Sequence, residues 1–417
     1  MFSHFDRRWR ALRLLPSLIL AAAGAHADYT MQMPGALGSY SMNREASGTS
    51  WQPDATPMPG VMSMDDGWMT MLHGYLNQVY DHQGGLRGDV ENFSNSMVML
   101  MADRSWGHDT VGLRAMLSAD PLMGKRGYPL LLQTGETADG IHPLVDRQHP
   151  HDLFMELSAS WSHAFDQDDS LFVYGGLPGE PALGPPAFMH RASGVDDPEA
   201  PISHHWLDST HVTYGVLTLG YTWQQLRAEV SAFHGREPDQ FRYNIETGRL
   251  DSASARLSWN PDPHWSLQLS RGYIHSPEEL QSQVDQHRTT ASAIYDRPLD
   301  DGNWATTVAW GRDDDQPGRA LDAFLAESAV TLHATHTVFA RLERVEEDEL
   351  FSGAAPLAGQ EFGVTKFSVG YIHDWPLAAH LRFGLGGLVS LYALPAAVDS
   401  AYGSPRSYMV FVRLKLE

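Results

Sequence analysis

Cysteine is absent from this chain of 417 residues. A protein without thiols folds without disulfides and offers no thiolate to a metal, so its stability comes from backbone pairing and packing. Long apolar runs are missing too. LLPSLILAAAG near the start is too short to cross a bilayer as a retained helix, which needs about 20 residues, and no later stretch comes close. Helical membrane architecture is excluded. Basic residues are scarce: 29 Lys and Arg stand against 51 Asp and Glu, a formal charge of −22. Such a surface repels nucleic acid, which is excluded as a partner, and favours cations. Catalytic motifs are lacking as well. The phosphate-binding glycine loop, the dinucleotide fingerprint, HExxH and GxSxG are all absent, and the acid-rich DDGNW and RDDDQPGRALD lack the ligand spacing of a calcium loop. Ser158 and Ser160 lie near His163, but a strand puts both serines on the face opposite that histidine. No enzyme is expected.

Residues 1–27 have the form of a secretory signal: a basic start (Arg7, Arg8, Arg10, Arg13), the apolar stretch, and Ala25-His26-Ala27 as a small-x-small cleavage pattern. The mature chain is expected to begin at Asp28. The signal carries four Arg and one Asp, so the remainder stands at −25. Residues 28–66 are rich in Gly, Pro, Ser and Met without sustained periodicity, which predicts a flexible arm.

From residue 67 to 417 the pattern changes to period 2. ARLSWN places Ala255, Leu257 and Trp259 on one face and Arg256 and Ser258 on the other, the alternation of a strand between unlike solvents. About sixteen such segments (14–18) are predicted: 67–80, 94–106, 109–119, 152–165, 169–176, 209–223, 224–235, 251–260, 264–275, 286–297, 302–312, 324–335, 336–346, 361–375, 378–392 and 405–416. Their links alternate between tight turns (WGHD, FDQDD, NPDPH, RPLDDG, HATH, DWPLA) and stretches of 11 to 34 residues. Short turns at one end and long loops at the other describe an all-β transmembrane antiparallel barrel of the bacterial outer membrane. In hydrocarbon every backbone N–H and C=O needs a partner, so the sheet has to close on itself. Aromatics near strand ends (Trp68, Trp106, Trp206, Trp223, Trp259, Trp265, Trp304, Trp310, Tyr371, Trp375) supply an interfacial girdle. The expected partners are outer-membrane lipid and the assembly machinery, which reads a terminal strand such as SYMVFVRLKLE. That strand ends on Glu417 rather than the usual aromatic. Homo-oligomer or monomer is left open.

Two residue sets point to metal. DRQHPHD puts Asp146, His149, His151 and Asp152 within seven residues at the end of an exterior loop, with His142 on the same loop. The next long loop adds Met189, His190, His204 and His205, with His211 just beyond it. Imidazole and carboxylate suit Zn²⁺, Cu²⁺ or Ni²⁺. The same residues could also simply order a loop. The second set is methionine: 11 of 17 fall in residues 28–101. Met31, Met33, Met42, Met58, Met62 and Met64 lie in the arm, and a thioether is a soft ligand for Cu(I). Met69, Met71, Met97, Met99 and Met101 belong to the first two strands. Of these, Met97, Met99 and Met101 share a face, expected to be apolar filler towards lipid; a luminal thioether ladder is the alternative.

At SGTSWQPDATPMPG (47–60), DPLMGKRGYPLLLQTGETADG (120–140), DRQHPHDLFMELSASWSH (146–163) and SHHWLDSTHVTYGV (203–216), about a sixth of the chain, the sequence resembles a family of bacterial outer-membrane barrels met among copper and heavy-metal resistance genes. It is also loosely similar to copper-resistance outer-membrane protein B, although the arm lacks that protein's dense Met-His repeats. The resemblance implies a metal-resistance or homeostasis setting in which the barrel binds or passes copper or a similar cation. The alternative is a general porin or structural barrel without a metal role, its channel lined by Arg227, Glu229, Arg256, Gln268, Arg341 and Glu343.

Overall fold

Between Ser252 and Trp259 every second side chain is buried, while Ala253, Ala255, Leu257 and Trp259 are exposed. Arginine and serine point in and apolar groups point out, the inverse of a water-soluble core. The same inversion recurs around the molecule. The computed structural model describes residues 33–417, so the expected signal segment, Asp28 and Met31 lie outside the described residues. The barrel strands are β1 (Trp68–His82), β2 (Val90–Trp106), β3 (Asp109–Leu117), β4 (Phe154–Ala164), β5 (Asp169–Gly176), β6 (Val216–Trp223), β7 (Leu226–Phe233) and β8 (Ser252–Trp259). They continue with β9 (Trp265–Ile274), β10 (Asp285–Leu299), β11 (Gly302–Gln316), β12 (Ala320–Leu332), β13 (His336–Glu347), β14 (Phe362–Ala378), β15 (Leu381–Ala393) and β16 (Arg406–Leu416). Each pairs antiparallel with its sequence neighbours, and β16 closes on β1 from Tyr408↔His82 to Leu416↔Gly74. No sheet edge is left facing lipid along that seam. Among the described residues no helix is long and apolar enough to cross a membrane.

A lead-in strand, Val61–Asp65, folds onto the start of β1, where β16 does not reach. Its turn uses Asp66 and Gly67 at φ 46° and 78°, the pair of positive angles a two-residue hairpin turn requires. At this end of the barrel the seven connections span two to five residues. At the other end they run from 7 to 39 residues, with one exception. The expected long link after residue 312 shrinks to 317–319, because β11 and β12 extend past the belt along the acidic stretch Asp313–Asp315.

The belt itself carries exposed Leu219, Val230, Leu269, Val308, Phe324, Leu342 and Val389. Trp106, Trp223, Trp259, Trp265, Trp304 and Trp375 ring it near the short turns. Trp206 departs from the expected girdle: it is 7% exposed, in a four-residue helix inside the lumen (His204–Leu207). Glu417 pairs with Arg382 and, at 2.8 Å, with Lys415, so the unusual last residue is anchored by the cations beside it.

The arm differs from expectation. Residues 33–60 pack inside the lumen rather than trailing free, because the inner wall presents guanidiniums that need partners there. Arg227 stacks over Tyr40 and Trp51 and donates to the Thr49 carbonyl at 2.8 Å. Arg114 pairs with Glu45 at 2.7 Å, and Arg256 reaches Thr49 Oγ1 at 2.8 Å. The long loop 177–215 also folds inward. Arg191 joins Asp208 to Glu327, both at 2.6 Å; Asp196 meets Arg413, Asp197 meets Arg341 and Glu199 meets Lys366. Buried charges persist only when paired, and here every pair but Arg191–Asp208, which lies within the loop, ties loop to wall. A smaller hairpin, Tyr128–Thr137 with Pro143–Gln148, closes over the long-loop end. The residues expected to line an aqueous channel do face inward: Arg227, Arg256, Arg341 and Glu343 meet these luminal segments, while Glu229 pairs with Arg256 and Gln268 donates to Thr290 along the wall.

Candidate functional site

Period 2 in β1 puts Met69, Met71, His73 and Tyr75 on the luminal face. In β2 it puts Met97, Met99 and Met101 there, at 3%, 2% and 5% exposure, while Val98 and Leu100 face lipid. The expectation of lipid-facing filler for these three is therefore corrected: they form the luminal ladder. Register then builds a carpet, since directly opposed residues of an antiparallel pair share a face. Met62 opposes Met71, which opposes Met101; His73 opposes Met99, which opposes Met116. Nine buried methionines, Met42, Met69, Met71, Met97, Met99, Met101, Met116, Met155 and Met189, form one cluster, with Met33 and Met58 packed against it. Facing the carpet, His190 of the 177–215 loop sets Nε2 3.3 Å from Met116 Sδ, its ring 6.1 Å from that of His73. The chamber between them holds about 680 Å³ and opens among the short turns. Packing alone is satisfied by flexible thioethers. Softness is a further property: sulfur with imidazole is the donor set that favours Cu(I) among the first-row ions.

The same loop, with His149 and His151 of the 118–153 connection, builds a second group. His151 and His211 stand 5.2 Å apart between ring centroids, His211 and His204 5.1 Å, His204 and His205 5.6 Å, and His205 and His149 5.7 Å. Phe188 packs against the rings of His151, His204 and His211. His151 Nδ1 meets Asp120 at 2.9 Å, His204 Nδ1 meets Asp208 at 2.7 Å, and His211 Nδ1 meets the Asp208 carbonyl at 2.8 Å. A proton fixed on Nδ1 by such a partner leaves Nε2 with its lone pair, the orienting pattern found behind metal-bound histidines. The Nε2 atoms of His151, His205 and His211 are buried without a hydrogen-bond partner. Burial, followed by neighbouring cationic groups, holds His205 and His190 down to about 3, and holds His149 and His211 well below the ordinary imidazole range. These rings stay neutral across the physiological range.

The remaining sequence candidates disperse. His142 is exposed and bonds Asp139 at 2.8 Å. Asp146 pairs with Arg87 at 2.6 Å and Asp152 with Arg242 at 3.1 Å, so guanidiniums hold these carboxylates and keep them from the imidazole group. His149 Nε2 lies 3.2 Å from Glu136. Met33 and Met58 join the thioether cluster, whereas Met62 and Met64 are exposed on the lead-in strand. Sequence reasoning missed His73, Met116 and Met155. His73 was findable, since it continues the two-residue beat of Met69 and Met71; the other two needed the register. Ser158 bonds Glu156 at 2.6 Å, and His163 bonds Asp109 on the other face.

No protein-family model matches the chain, and no curated protein sequence matches it. Solved structures do. A structure of OmpF from Salmonella typhi in complex with daunomycin is 11% identical, covering 85% of this chain and all of its own length, with a TM-score of 0.51. OprB of Pseudomonas putida is 10% identical, covering 84% of this chain and 94% of its own, with a TM-score of 0.53. None of these matches bears on the copper-resistance likeness. What they share with this chain is architecture: a closed antiparallel barrel of the porin type.

Proposed function

We propose that the chain is a porin-like outer-membrane barrel whose filled lumen binds soft metal cations, with copper(I) as the candidate. One observation carries this reading: the thioether carpet of β1–β3, with His73 set among its methionines, faces the imidazole of His190 across a chamber open at one end. Thioethers keep their donor power without deprotonation, and the acidic surface draws cations towards the barrel. Titrating the purified protein in detergent with Ag⁺, a stable stand-in for Cu(I), tests it. Replacing Met99 and Met116 together with leucine keeps apolar volume, so affinity should fall by about tenfold or more while thermal stability changes by less than about 1.5 kcal/mol. Unchanged Ag⁺ affinity removes the reading.

A second reading, general passage of small solutes without a metal role, is favoured by the likeness in fold to OmpF and OprB. It requires a conducting lumen.

A further inference from the structure

At the long-loop end, on the far side of the imidazole group from the thioether chamber, lies a separate cavity of about 310 Å³. Seven carboxylates line it against two guanidiniums, Arg288 and Arg319. Each guanidinium is engaged, Arg288 with Asp313 at 2.9 Å and Arg319 with Asp348 at 3.8 Å. Excess negative charge in a partly buried space has to be neutralised by protons or by a cation.

Inside this cavity one ligand atom each from His205, Glu237 and Glu278 come within 4.8 Å of one another. His205 Nε2 is buried with no hydrogen-bond partner, and so is Glu237 Oε2, whose other oxygen accepts from Ser209 at 3.3 Å. Glu347, 1% exposed, lines the same cavity and leaves Oε1 buried and unpartnered. The imidazole is held in place by Gly135 (φ 97°): a Cβ there would stand 2.5 Å from the ring. Ligands about 2.1 Å from a common ion lie at most about 4.2 Å apart, so drawing these atoms in by under about 1 Å completes a site.

We propose that His205, Glu237 and Glu278 bind a divalent first-row transition ion, such as Zn²⁺, at the outer mouth of the barrel. An imidazole nitrogen beside two carboxylates favours such an ion over Ca²⁺ and Mg²⁺, which take oxygen, and over Cu(I), which takes sulfur. The site has no atom in common with the thioether chamber and stands or falls without it.

Calorimetric titration of the full chain in detergent with Zn²⁺, Ca²⁺ and Mg²⁺ tests the proposal. The expected result is Zn²⁺ binding at least tenfold tighter than that of the other two ions. Glu237→Gln/Glu278→Gln should lower Zn²⁺ affinity by tenfold or more and leave Ag⁺ binding at the thioethers unchanged. The same double variant relieves charge repulsion, so its metal-free melting temperature should rise and its Zn²⁺-induced rise should vanish. Equal affinity for Zn²⁺ and Ca²⁺ in the unmodified chain overturns the proposal. So does undiminished Zn²⁺ binding by the double variant. The unmodified chain decides by itself if the variant does not assemble.

Discussion

Arg256 shows how single residues fix the filling of this lumen. Its guanidinium pairs with Glu229 at 2.9 Å on the neighbouring strand, then reaches Thr49 Oγ1 at 2.8 Å and the Gly184 carbonyl at 3.1 Å, tying the wall to both luminal segments. Removing one partner of a buried pair strands the other charge, which costs about 3–5 kcal/mol. Arg256→Ala should lose stability on that scale in urea unfolding of the lipid-reconstituted protein; a loss below about 1 kcal/mol would mean that water already reaches Glu229. The parity of the methionines was partly readable at this scale. Methionine suits lipid and lumen equally, so Met97, Met99 and Met101 do not declare their side alone. Asn95 and Asp103 share their parity and belong in water or polar contact, which settles it.

Among elements, all sixteen strands were legible, because each separates hydrocarbon from a polar interior and so alternates. The arm and loop 177–215 were not. They have no period, and what orders them is distributed over the wall: Arg114, Arg227, Lys366 and Arg413 are remote in sequence from Glu45, Tyr40, Glu199 and Asp196. Short-range pattern carries no record of such pairs. The docking of these elements should depend on pH. Burial lifts the carboxyl of Glu180 to about 8 although Arg256 opposes it, and lifts that of Glu136 to about 8 although Arg242 does. Glu180 packs directly against Gly48 of the arm. An acid whose folded value lies above its unfolded one contributes fully below its ordinary range, near pH 4.5, and that contribution is lost as pH rises to about 8. Amide exchange in peptides from residues 33–60 and 177–215 should therefore be faster at pH 8 than at pH 5.5, after correction for intrinsic rates, by about tenfold or more. Equal protection at the two values would refute the dependence.

For the whole molecule, architecture and permeability separate. Closure of β16 on β1 gives the cylinder of a porin, and the segments inside it occupy the space through which solutes would pass. In planar bilayers the intact chain should conduct far less than an unfilled barrel of sixteen strands, and deletion of residues 33–60 should raise conductance severalfold by exposing Arg114, Arg227 and Arg256 to water. A large, steady conductance from the intact chain would favour general passage. The nine buried methionines have one more consequence, and it concerns damage rather than binding. Each thioether accepts an oxygen atom from peroxide or hypochlorite, becoming a polar, chiral sulfoxide that reductases can restore. Any oxidant that enters the chamber would therefore leave its record in the mass of the protein, one oxygen for each methionine it reaches.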